Sequence, residues 1–220
     1  MNVVFEYHVD PNIPVNTVSV IGSMNDFSEE KGRMERVGDS FRLEMTLPSG
    51  DHFYSFLING NLRLNDPSAN IYAPDKEDKI WSVVIIDKDG QRLYNNTQYN
   101  VHIDDYKLST VVTKEENIVH KRKFNRFTEK QAVARFTFKN ITGLHSVTAA
   151  WYNPMGDLFE VSESAVLEDP TDPTFTWFWI DLKNPKKPVF SGLWTLKLFV
   201  DGSFILEDKF NIMEDVSYSR

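Results

Sequence analysis

The chain contains no cysteine, which excludes a disulfide framework and any thiolate metal site. No run approaches the roughly 18 apolar residues that a membrane span requires. The first seven residues, Met1 to Tyr7, carry neither a basic region nor an apolar core of signal-peptide type. A cytoplasmic protein without a membrane partner is therefore expected. Positive charge is scarce: 24 Lys and Arg stand against 32 Asp and Glu, a net charge of −8. That balance opposes general binding to nucleic acid, which needs clustered positive charge. The local exception, His120-Lys-Arg-Lys123 with Arg126 and Lys130 beyond it, reads as a solvated strand or linker surface, the alternative being a contact for an anion or acidic partner.

Catalytic signatures are missing as well. There is no nucleophile elbow, phosphate loop, zinc-helix motif or dinucleotide fingerprint. The five histidines, His8, His52, His102, His120 and His145, show no ligand spacing. The expectation is a chain that is not an enzyme and holds neither metal nor cofactor. No convincing three-turn helical period is present either.

What the chain does have is aromatic bulk, with 16 Phe, 8 Tyr and 5 Trp in 220 residues, and alternation of apolar and polar residues with period two. Phe41, Leu43, Met45 and Leu47 alternate with Arg42, Glu44 and Thr46. Tyr54, Phe56 and Ile58 then point one way, with Phe53 and Leu57 opposite. Asn59-Gly60 is a hairpin signal, because a type I′ turn needs positive φ at both central residues. Ile80 to Ile86 is apolar on both faces, as in a central strand, and Asp87-Lys-Asp-Gly90 ends it with turn chemistry. The stretch from about Gln91 to Lys130 is polar and weakly patterned. Forty structureless residues inside one domain would be unusual, so two domains joined here is the simpler account.

The second half repeats the β pattern through Ala134, Phe136 and Phe138, then Val147, Ala149 and Trp151. Trp177 and Trp179 share one face of a strand, with Phe178 and Ile180 on the other; whether the two tryptophans form core or an exposed platform is left open. Trp194, Leu196, Leu198 and Val200 form a stripe before the Asp201-Gly202 turn. Large aromatics suit sandwiches, where two inner faces must be filled. The predicted fold is all-β: two immunoglobulin-like β-sandwich domains in tandem, residues 1–100 and 117–220, with a linker at 101–116, one strand of which could pair near Val101 to Ile103.

Four short segments in the first half occur in a telling order: Gly22-Ser-Met-Asn-Asp-Phe27, Tyr54-Ser-Phe-Leu-Ile-Asn-Gly60, Asp66-Pro67 and Trp81-Ser-Val-Val84. Together they resemble carbohydrate-binding module family 48, the glycogen-binding domain of AMP-activated protein kinase β-subunits and of glycogen-branching and debranching enzymes. The likeness runs from about Thr17 to Ile86 and implies an early-set immunoglobulin-like sandwich. The second half looks like a generic bacterial immunoglobulin-like domain, on Gly192-Leu-Trp-Thr-Leu-Lys-Leu-Phe-Val-Asp-Gly202.

Glucan binding in the resembled family implies aromatic platforms with amide or ammonium groups at their rim. Its first Trp falls here at Phe27, its Lys at Ser55, its second Trp near Leu62 and its Asn at or next to Ser82. One smaller aromatic survives, and the polar partners are shortened or gone. Trp81 supplies a replacement only if it points outward; burial is the simpler reading in a strand apolar on both sides. Asp66-Pro67 reads as a fixed turn. The candidate contact residues for a sugar or a protein are Phe27, Ser55, Leu57, Leu62, Trp81 and Ser82. An apolar face with few polar groups resembles one covered by protein. The sequence thus favours a non-catalytic module with a degenerate glucan face used for protein docking or assembly, its partner another protein or a second copy. The alternative is an α-glucan (glycogen or starch) binding protein. The resembled enzymes' catalytic barrel, roughly 200 residues or more, has no room in this chain.

Overall fold

In the computed structural model the period-two segments become strands, and among the described residues the one helical element is a single 3₁₀ turn at Ser23–Asn25. The structure describes residues 1–69, 71–94, 101–115, 117–169 and 173–214. Two compact units emerge. One is Met1–Gln98 with the short segments Leu144–Thr148 and Phe199–Phe204; the other is Tyr99–Gly143, Ala149–Leu198 and Ile205–Arg220.

The first sandwich faces two antiparallel sheets. One has the order β1 (Asn2–His8), β4 (Ser40–Thr46), β3 (Glu35–Val37). The other has the order β2 (Val18–Gly22), β5 (Gly50–Ile58), β8 (Ile80–Ile86), β7 (Tyr72–Pro74), with β6 (Leu62–Leu64) on β5 and β9 (Arg92–Leu93) on β8. Alternation sets the inner faces. Phe5 meets Tyr54 edge-on at 4.8 Å and Tyr7 meets Phe56 at 5.3 Å, so the aromatics of β1 and β5 fill the space between the sheets. Asn59 and Gly60 hold φ of 51° and 71°, as the turn between β5 and β6 requires. Its register pairs Ile58 with Leu62, Leu57 with Arg63 and Phe56 with Leu64. Leu62 and Leu64 therefore enter the core and Arg63 goes to the opposite face.

The second sandwich has a three-stranded sheet, β10 (His102–Ser109), β12 (Gln131–Lys139), β15 (Thr174–Asp181), and a five-stranded one. The latter runs β11 (Lys123–Asn125), β17 (Ser203–Met213), β16 (Gly192–Val200), β13 (Leu144–Tyr152), β14 (Leu158–Leu167). Trp151, Trp194, Phe136, Phe138 and Phe210 are fully buried in its core. Among them, Trp151 meets Phe210 edge-on at 5.8 Å. Both halves are thus immunoglobulin-like all-β sandwiches in tandem.

His102–Ser109, inside the stretch read as a connection, is a full strand paired with β12. A bulge between Ile103 and Asp105 conceals it in the sequence. Ile103, Tyr106 and Leu108 pair with Phe138, Phe136 and Ala134, and the extra residue turns their spacing from two into three, then two. The basic stretch that follows is matched by carboxylates: Arg122 reaches Asp208 at 3.0 Å, Arg126 reaches Glu214 at 3.0 Å, and Lys121 pairs with Glu129.

Arg135 sits mid-strand in β12, on the side of its sheet away from the core, and only 2% of it is exposed. Its guanidinium meets Asp105 at 3.0 Å and donates to the carbonyls of Thr113 and Glu115. Segment 110–115 is thereby tied down over the sheet. A buried cation left without its anion is strongly unfavourable. Asp105→Ala should destabilise the second sandwich by about 3–5 kcal/mol in urea unfolding. Adding Arg135→Ala should cost less than the sum of the two single substitutions, which a double-mutant cycle measures.

Candidate functional site

The outer face of the β2-β5-β8 sheet carries the candidate site, and its construction begins at Gly22. A Cβ there would lie 2.3 Å from the Phe53 carbonyl oxygen, so only glycine lets the chain turn so close to β5. Buried Asn25 then closes the turn. Its Oδ1 accepts from Gly22 N–H at 3.0 Å and its Nδ2 donates to the Val20 carbonyl at 2.8 Å. Asp26 and Phe27 follow in the left-handed region, with φ of 57° and 56°. The Phe27 N–H donates back to the Gly22 carbonyl at 2.9 Å. A bulky residue held at positive φ stores about 1–3 kcal/mol of strain, and here the turn aims the phenyl ring out of the fold. Phe27 is 49% exposed.

Beneath that ring lies Trp81, with centroids 5.1 Å apart and planes tilted at 57°. Trp81 projects from the outer side of β8 yet keeps only 7% of its surface exposed. Phe27 packs against it, the Arg63 guanidinium lies 4.5 Å from its ring centre, and the Lys79 ammonium lies 5.1 Å away. Its indole N–H donates to Asp75 Oδ2 at 2.7 Å. Asp75 Oδ1 in turn accepts from the backbone N–H groups of Glu77 and Lys79, at 2.8 and 3.0 Å. Asp75 thus holds both the indole and the 75–79 turn. The indole hydrogen bond, followed by those backbone donors and the nearby Lys79 charge, keeps its carboxyl below the ordinary value.

Arg63 is also only 7% exposed. It donates to Ser55 Oγ at 2.7 Å and to the Ile80 carbonyl at 3.1 and 3.2 Å. Ser55 Oγ donates to Asn65 Oδ1 at 2.9 Å, and that oxygen also accepts from Ser82 N–H at 3.2 Å. Ser82 Oγ accepts from Asp66 N–H at 2.8 Å. Asp66 then takes the Tyr54 hydroxyl at 2.8 Å and both Ser68 donors at 2.6 and 2.8 Å. Burial, followed by the Asp66 charge, pushes the Tyr54 hydroxyl well up, so it stays a neutral donor.

The residues expected at the face therefore divide. Phe27 is exposed, Leu57 is half-buried on the outward side, and Trp81 is brought to the face but covered. Ser55 and Ser82 have no exposed surface; they bind the hairpin and the Asp66-Pro67 turn to β8 and cannot meet a solute. Leu62 is buried on the core side, because the β5–β6 register assigns the outward position to Arg63. Arg63, Asp75, Lys79 and Asn65 were missed from the sequence. The alternation Leu62-Arg63-Leu64 was the available signal for Arg63. Nothing local announces Asp75, whose role depends on where β8 returns the indole. Among the described residues no group of three or more His, Asp or Glu side chains is arranged to hold a metal ion.

The Asp75–Trp81 pair gives a pH signature. The Asp75 carboxyl ionises below its unfolded value of 3.8, so its stabilisation is fully present above that pH. It is lost as the pH falls through the folded value. Asp75→Asn should therefore destabilise the first sandwich near neutrality, and the gap from the unsubstituted protein should close in acid. Urea unfolding at a series of pH values tests this; a gap that stays constant into acid refutes it.

A search of curated proteins returns no relative of the chain. Among solved structures, an immunoglobulin-like protein from Pseudomonas aeruginosa aligns at 16% identity over 52% of this chain and 97% of that one, with a TM-score of 0.36. A maltogenic amylase from S. marinus aligns at 13% identity over 96% of this chain and 28% of that one, with a TM-score of 0.34. A β-glucosidase from Listeria innocua, in complex with glucose, aligns at 8% identity over 56% and 16%, with a TM-score of 0.33. Likenesses this distant support no inference about ligand or chemistry. The family comparison is more specific. It is the N-terminal sandwich, over residues 2–92, that matches the family described as the glycogen recognition site of AMP-activated protein kinase.

Proposed function

We propose that the chain is a non-catalytic binding module whose first sandwich contacts an α-glucan through Phe27. The observation that carries this reading is the half-exposed phenyl ring resting on Trp81, with the Lys79 ammonium at the rim of the same cluster. A pyranose ring has one face of C–H groups, which sheds water against an aromatic surface, and an ammonium donor suits its hydroxyls. The family match over residues 2–92 supports the same ligand class.

The contact is weak for a structural reason. Ser55, Ser82, Asn65 and Arg63 spend their hydrogen bonds on one another and on the backbone. One phenyl platform at about 0.5–1.5 kcal/mol beyond its area and one charged hydrogen bond at about 1.5–3 kcal/mol come to about 2–4.5 kcal/mol, at best the ~4 kcal/mol of a millimolar complex. A polymer with many chain ends raises the effective concentration and is the better ligand.

A second reading is protein docking. What favours it is the same closed network, which leaves few polar groups on a face that carries exposed Phe27 and half-buried Phe53 and Leu57. One substitution separates the two. Phe27→Ala lies on the surface and should change stability by less than about 1 kcal/mol. On the glucan reading it abolishes the shift that maltoheptaose induces in the Trp81 indole N–H signal and weakens co-sedimentation with glycogen. If glycogen binding is absent in the unsubstituted protein, and Phe27→Ala converts a dimer to a monomer in analytical ultracentrifugation, docking is the function and the glucan reading fails.

A further inference from the structure

A separate aromatic site lies on the second sandwich, at the open edge where β14 and β15 run close together. Trp179 is 51% exposed, which leaves on the order of 100 Å² of indole in water. The cause is its position. The outer side of β15 carries Phe175, Trp177 and Trp179 in period two, but segment 110–115 covers only the first two. Lys114 lies over Phe175 at 5.7 Å, Trp177 stacks on Phe175 with planes 15° apart, and the Trp177 indole donates to the Thr113 carbonyl at 3.3 Å. Trp177 is thus a half-buried part of the cover, and Trp179 stands beyond it.

The exposed indole opens on a cavity of about 180 Å³ lined also by Phe159, Glu160, Asp181, Asn184 and Lys187. Its walls are fixed in place. Phe159 is set edge-on against fully buried Trp194 at 4.8 Å. Lys187 lies 4.5 Å from the Phe159 ring centre and pairs with Glu160. Asp181 Oδ1 accepts from Lys183 N–H at 2.8 Å and Asn184 Oδ1 accepts from Lys186 N–H at 3.0 Å. Pro185 and Pro188 stiffen the loop between them. The second carboxylate oxygen of Asp181 and the amide nitrogen of Asn184 remain to serve a ligand.

We infer that this cavity is a saccharide subsite: Trp179 offers the platform for one pyranose ring of a neutral glucan chain, and Glu160, Asp181, Asn184 and Lys187 meet its hydroxyls. The chemistry discriminates. A protein partner would bring an apolar anchor to an apolar pocket, whereas this aromatic face is ringed by two carboxylates, an amide and an ammonium. The volume lies below the 300–1,000 Å³ or so of drug-sized sites, which suits a single ring. The site owes nothing to Phe27 and stands whether or not the first sandwich binds glucan.

The indole N–H signals of the five tryptophans make the test direct. The full chain, labelled with nitrogen-15, is titrated with maltoheptaose and, separately, with cellohexaose. The Trp179 signal should shift and saturate in the millimolar range with at least one of them, while those of Trp151 and Trp194 stay still and report an intact core. Trp179→Ala and Asn184→Ala should each weaken that sugar's binding roughly tenfold in a Phe27→Ala background, where the first face is silenced. Movement of the Trp81 signal instead would locate binding at the first sandwich and overturn this site alone. The proposal also falls if neither sugar moves Trp179, or if its signal moves with protein concentration and no sugar, which would make the patch a contact between copies.

Discussion

The candidate face of the first sandwich depends on one buried cation. Arg63 lies between Ser55, the Ile80 carbonyl and the Trp81 ring, and every other feature of the face follows from it. A guanidinium withdrawn from water needs acceptors in a fixed arrangement. Ser55 and Ile80 supply them, and Asn65 holds Ser55 in turn. With the cation fixed, one side of the Trp81 ring is covered. Phe27 packs on the same indole, and Asp75 holds its N–H. The indole thereby serves as a support for a smaller ring and not as a bare surface of its own.

Much of the fold was legible because it rests on local rules. The alternation of Phe41 to Leu47 and of Tyr54 to Ile58, and the Asn59-Gly60 turn, each required only neighbours in sequence. The face was legible in part. The exposure of Phe27 was legible, since a motif that turns on glycine and asparagine aims whatever residue ends it. Ser55, Leu62 and Ser82 were not, because their fates depend on pairing. The alternation Leu62-Arg63-Leu64 hints at an outward arginine, but the turn sets which residue opposes Ile58. That register sends a leucine inward and an arginine onto the face. A serine looks equally plausible at a sugar rim and inside a hydrogen-bonded network; only Arg63, eight residues on, decides for Ser55. Strand β10 was obscured by a related problem, a bulge that spoils the period of Ile103, Tyr106 and Leu108.

The two sandwiches treat exposed aromatics in opposite ways. In the first, the indole is covered, its polar neighbours are consumed internally, and a phenyl ring is presented. In the second, two aromatics of a row of three are covered by segment 110–115, and the last is left open beside groups that can bond to hydroxyls. The difference traces to where the covering segment is pinned. Arg135 pins the covering segment through the carbonyls of Thr113 and Glu115, so the cover reaches Phe175 and Trp177 but does not extend to Trp179.

Polar groups near an aromatic surface therefore cannot be counted as binding capacity until their existing bonds are known. Replacing an internal partner by a sugar hydroxyl exchanges one hydrogen bond for another of similar strength, a net gain of about 1 kcal/mol or less. Breaking a buried charge from its acceptor costs more than the sugar returns. For Arg63 that exchange is unfavourable, and Phe27 is the surface that the first face presents. For Asp181 and Asn184, which line the cavity, one oxygen of each orders the loop, and a hydroxyl can meet the remaining polar atom with no internal bond to break. On this ground the second sandwich, although it carries no recognised sugar motif, is chemically the better prepared of the two to hold a single ring.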